Sequence, residues 1–173
     1  CGMARHAMAE GRPAEALPLL RQALVFPENL GEGKLEGQKD NDLYYLTDVC
    51  LRQLGDENAA RDAFEKAAMG DTTPAGAMYY NDQPADMILY RGLAHQALGR
   101  NSEALKCFHQ LVDYVETHQI DTMRLDYIAV SLPELQLFEE DLTARNRLHC
   151  HFLIGLGCLG LGLTNRAEQE LAC

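Results

Sequence analysis

A chain of 173 residues, 47% hydrophobic and 24% charged, suits one compact domain or a short repeat array and is too apolar to stay disordered. Its 26 acidic and 15 basic residues give a formal charge of -11, which works against nucleic acid and anionic membrane surfaces, because both are held through Lys and Arg. No apolar stretch reaches the roughly 20 residues a membrane helix needs. Phe152 to Leu163 comes nearest and is interrupted by glycines, and no secretory signal is visible.

Taken in chain order, the apolar periodicity predicts helices over 2–10, 13–26, 40–54, 57–69, 84–98, 101–118, 132–140, 142–161 and 164–173. Pro18 falls inside the second. Between helices, 29–42 is rich in glycine and charge and reads as a solvated loop. The stretch 69–84 carries Tyr79, Tyr80, Asn81 and Asp82, side chains able to stack on and hydrogen-bond a sugar or a peptide, or to pack the loop onto the helices. In the third connection Ser131 and Glu134 have capping-box spacing, and Glu139 to Asp141 reads as a solvated helix edge.

The organising feature is a repeat. Gly11, Gly55 and Gly99 are 44 residues apart. Five residues after each stands Ala16, Ala60 or Ala104, and nine residues after stands Leu20, Phe64 or Phe108. A fourth copy follows Gly162, with Ala167 and Leu171 at the same offsets, after a longer gap of 63 residues. A glycine accepts the left-handed conformation that ends a helix. Asp56, Asn101 and Thr164 are residue types that cap the next helix. The alanine lets two antiparallel helices approach, and the large residue fills the groove between them. Each unit is then a helical hairpin whose apolar face needs a neighbour to cover it.

This pattern resembles the tetratricopeptide repeat family, with Gly92 and Gly155 at the small position of the first helix in the third and fourth copies. The resemblance covers about two thirds of the chain. It implies an all-α fold, an α-α superhelix of antiparallel hairpins with long loops between repeats. The hairpins fall near 2–26, 40–69, 84–118 and 142–173, with an insertion at 119–141, in one repeat domain. The fourth copy stops inside its second helix, so the chain is expected to be a fragment of a larger protein. The wording at 79–84, 129–133 and 145–150 is similar to the C-terminal repeat region of large bacterial proteins with a mutarotase-like β-sandwich. That likeness implies a carbohydrate-related parent.

Chemistry-bearing patterns are scarce. His149 and His151 are two apart, as are Cys107 and His109, so on a helix neither pair shares a face. Gly155, Gly157 and Gly160 spell the dinucleotide-binding string, but no strand precedes them, and helix packing accounts for them. No catalytic residue, metal site or cofactor is expected. The six cysteines are scattered and read as free, mostly buried thiols of a reducing, cytoplasmic compartment. The expected role is a non-catalytic protein-protein interaction or scaffolding module, the partner being a protein, a peptide or a neighbouring domain of the parent chain. The alternative is an accessory domain rimming the active site of a carbohydrate-active enzyme. Candidate binding residues are Arg52, Gln53, Arg91 and His95 on the free face of the first helices, together with Tyr79, Tyr80, Asn81 and Asp82. The pattern leaves the oligomeric state open.

Overall fold

The computed structural model describes residues 1–26, 39–74, 76, 84–121 and 141–172, and all regular structure among them is helical. The helices are α1 (Gly2–Ala9), α2 (Pro13–Ala23), α3 (Asn41–Gln53), α4 (Glu57–Ala67), α5 (Asp86–Ala97), α6 (Asn101–His118), α7 (Leu142–Gly160) and α8 (Thr164–Leu171). The helix expected over 132–140 lies outside the described residues.

The four glycine turns share one backbone solution. Gly11, Gly55, Gly99 and Gly162 have φ of 71°, 83°, 75° and 75°, in the left-handed region that only glycine enters freely. At each turn the next residue's amide reaches back five positions: Arg12 to the Ala7 carbonyl, Asp56 to Leu51, Arg100 to His95 and Leu163 to Cys158, at 2.8 to 3.0 Å. This ties off the carbonyls that a helix end leaves bare.

The N-cap therefore falls one residue after each glycine, and only Asp56 of the three expected caps stands there. Its carboxylate accepts from the Ala59 amide at 3.1 Å. Asn101 and Thr164 are corrected to first helical residues, behind Arg100 and Leu163, which offer no side-chain cap. Asp141, expected on a solvated helix edge, caps α7 by accepting from the Ala144 amide at 2.9 Å.

Each helix packs on its hairpin partner, and each second helix packs on the next first helix: α2 on α3, α4 on α5, α6 on α7. First helices also meet directly, α3 on α5 and α5 on α7. The core is divided along the stack. One cluster joins α1, α2 and α3 through Ala4, Ala16, Leu20 and Cys50. A second gathers Phe64, Ala67 and Ala94 between α4 and α5. The third joins α5, α6 and α7 around Ile88, Phe108, Leu111 and Leu153. Each hairpin thus relies on its neighbours, the arrangement of a helical-repeat solenoid.

The small positions set how closely the helices approach. A Cβ on Gly92 or on Gly160 would run into the Phe108 ring, and one on Gly155 would come within 2.6 Å of Leu171. Gly157 lies against Val112 and the Phe108 carbonyl. The glycines of the dinucleotide-like string are therefore packing positions on α7. Cys50, Cys107, Cys150 and Cys158 are buried free thiols, and burial pushes the first three up in pKa.

Candidate interaction surface

Direct contact among the first helices makes their side a continuous face, on which residues from three hairpins meet. Arg5 of α1 donates to the Asp42 carboxylate of α3 at 3.2 Å, and its guanidinium lies 5.7 Å from the centre of the Tyr90 ring of α5. Tyr90 in turn packs on Tyr45 of α3, ring centres 5.6 Å apart. Asp86, one repeat after Asp42, completes the group. Burial raises the Asp86 carboxyl above the usual carboxylate range and the Asp42 charge adds to it, while Arg5 opposes the rise. Burial likewise pushes both tyrosines up, Tyr45 further by the Asp48 charge, and Tyr90 against the pull of Arg5. Two half-buried rings, two carboxyls and one guanidinium thus share a partly desolvated surface, where charge interactions are stronger than in open water.

The residues expected on the free face divide. Arg52 is half-exposed. Its guanidinium stands 4.5 Å from the Phe64 ring centre, donates to the Ala97 carbonyl at 3.3 Å and lies 3.8 Å from Glu57. With Glu57, Asn58, Arg61, Phe64, Ala97 and Leu98 it lines a pocket of about 270 Å³. Gln53 is exposed on the same helix. Arg91 is turned to structure: its Nε donates to the Ala68 carbonyl at 2.9 Å, tying α5 to the end of α4. His95 is buried rather than on a free face. Desolvation first, then the nearby Arg91 and Arg100 charges, lower its pKa. Tyr79, Tyr80, Asn81 and Asp82 lie outside the described residues. Period-based phasing gave the correct helices but misplaced His95, because one residue of phase error turns a side chain by about 100°. The same period contained a signal for Asp42 and Asp86, which are 44 residues apart.

A second feature stands at the end of the stack. In the third hairpin Ala85, Leu89 and Phe108 are buried in the cluster shared with α7. Their counterparts 63 residues later are Leu148, Phe152 and Leu171, all apolar and 58%, 40% and 47% exposed. Leu159 is exposed on the same side of α7 by its spacing from Leu148 and Phe152, and Leu171 of α8 lies against Gly155 of that side, so the four mark an apolar ridge on α7 and α8. Among the described residues no helix is long and apolar enough to cross a membrane, and no cluster of three or more His, Cys, Asp or Glu side chains is placed to hold a metal.

No protein-family model matches the chain. Among solved structures it is similar to one described as the crystal structure of MamA, at 16% identity and a TM-score of 0.34, over 99% of this chain and 71% of that one. A likeness of that size carries neither a site nor an activity across.

Proposed function

We propose that this chain is a non-catalytic protein-interaction module whose first-helix face binds an extended partner segment bearing a basic side chain. The observation that carries the reading is the group of Arg5, Asp42, Asp86, Tyr45 and Tyr90, built from three successive hairpins. Asp86 is partly exposed, and among the described residues no cation forms an ion pair with it. A lysine or arginine laid beside Asp86 would relieve the repulsion from Asp42 and face two aromatic rings, an arrangement favourable to cations. The net charge of -11 favours encounter with such a partner.

The test is a titration with a short lysine- and arginine-bearing peptide and with a glutamate-bearing peptide of equal length, followed by NMR shifts of Tyr45 and Tyr90. The basic peptide should shift both tyrosines, and Asp42→Asn with Asp86→Asn should abolish the effect. Equal response to both peptides, or an unchanged response in the double variant, would sink the reading.

The ridge of Leu148, Phe152, Leu159 and Leu171 favours a second contact of a different kind. It is a stacking face of the sort α7 covers in the third hairpin, suited to docking on a neighbouring domain. In the parent protein implied by the sequence resemblance, that neighbour would be the carbohydrate-related domain. The ridge supports docking and says nothing about sugar.

A further inference from the structure

Seven residues before each turn glycine stands the small residue of the first helix: Ala4, Gly92 and Gly155 in the first, third and fourth hairpins. In the second hairpin that register position is Asp48. It is the place where, in the third hairpin, an added Cβ would run into Phe108, and in the fourth into Leu171. The counterpart of Phe108 here is Phe64, also buried. A carboxyl therefore occupies a slot that the other hairpins keep for a methyl group or a hydrogen atom.

Asp48 is 0% exposed, and among the described residues neither of its oxygens has a hydrogen-bond partner. An ionised carboxylate without a partner inside a protein is strongly unfavourable, and such a group keeps its proton instead. Burial pushes the carboxyl up from 3.8 to about 7, with Arg52 pulling it down and Glu57 adding to the rise. On its own helix it faces Arg52 one turn ahead and Tyr45 one turn back, and from α4 it feels Glu57. From α5, Tyr90 packs on Tyr45. Arg21 of α2 and Asp62 and Lys66 of α4 lie around Tyr44, Thr47 and Leu51 of α3. Arg52 does not neutralise Asp48 by direct contact, being held by the Ala97 carbonyl, Glu57 and the Phe64 ring.

We propose that the second hairpin is a pH-operated joint, in which the protonated Asp48 side chain lets α3 and α4 close and loss of its proton drives them apart. A carboxyl whose proton is held more tightly in the folded chain stabilises the fold below its unfolded value. That contribution is lost as pH rises through the folded value. The window here runs from 3.8 to about 7. Opening would act first on Tyr45 and Arg52, which stand on the same helix. The inference rests on the register and burial of Asp48 and does not depend on what the first-helix face binds.

The experiment compares the wild-type chain with Asp48→Asn by thermal unfolding from pH 5 to pH 8, with amide hydrogen exchange at both ends of the range. Relative to Asp48→Asn, the wild type should lose roughly 5–10 °C of Tm between pH 5 and pH 8. Exchange, corrected for its intrinsic pH dependence, should quicken in α3 and α4 more than in α5 and α6. Should Asp48→Asn fail to fold, Asp48→Gly restores the residue type of the third and fourth hairpins, and the ¹³Cγ shift of Asp48 in the wild type reports the titration directly. Parallel Tm profiles, a ¹³Cγ midpoint near 4, or exchange quickening evenly across the stack would each overturn the proposal.

Discussion

At the scale of single residues, Phe108 packs across two hairpins. It meets Gly92 within its own hairpin and Gly160 of the next, so one ring fills two close helix approaches. Phe108→Ala should cost roughly 3–5 kcal/mol in denaturant unfolding, the range for a buried aromatic truncated to alanine. Leu171→Ala, at the same repeat position but 47% exposed, should cost under about 1 kcal/mol. Equal losses would mean that Leu171 is packed as deeply as Phe108, contrary to its exposure. Gly92→Ala adds a methyl group where the ring already is, and should destabilise by about 1–3 kcal/mol. The large positions were legible in the sequence because they recur at fixed offsets from the turn glycines. Asp48 was not, because a carboxylate on a helix reads as a solvated residue unless its register is compared with Ala4, Gly92 and Gly155.

Among the elements, helix starts distinguish the register seen in the structure from the one expected. The cap sits one residue after the glycine, so Asp56→Ala should cost about 1 kcal/mol, and Asp141→Ala a similar amount at the start of α7. Asn101→Ala and Thr164→Ala remove no cap and should change stability by under about 0.5 kcal/mol, measured by the same unfolding curves. Comparable losses at all four sites would contradict the observed capping. The start of α6 is secured differently: Arg100 donates two bonds, of 2.9 and 2.6 Å, to Glu65 on α4, which holds the third hairpin to the second. At the other end of the stack His151 of α7 and Glu170 of α8 meet at 2.7 Å.

For the molecule as a whole, division of the core into clusters between adjacent hairpins means that each end face depends on what it meets. The outer ridge of α7 and α8 is the clearest case. Leu148→Ser with Phe152→Ser should leave Tm within about 2–4 °C of the wild type, since both side chains are substantially exposed. Native-state binding of a hydrophobic dye should fall in the same variant. Leu153→Ala, next in sequence to Phe152 but 0% exposed, should instead cost about 2–5 kcal/mol. A large stability loss in the serine variant would show the ridge to be part of the core.

The sequence by itself determined the all-α class, the helical hairpins and the turn positions, because these follow from local rules. A glycine must sit where φ is positive, a 3.6-residue period marks the helices, and small and large residues alternate at fixed offsets. Only the tertiary structure decided which side chains meet across hairpins. It brought Arg5 to Asp42 and Tyr90 to Tyr45, buried His95, bound Arg91 to a backbone carbonyl, left Phe152 partly exposed and closed Asp48 away from solvent. Those outcomes depend on crossing angles and on the phase of each helix about its axis. A rotation of about 100° per residue makes that phase far more sensitive than the period itself.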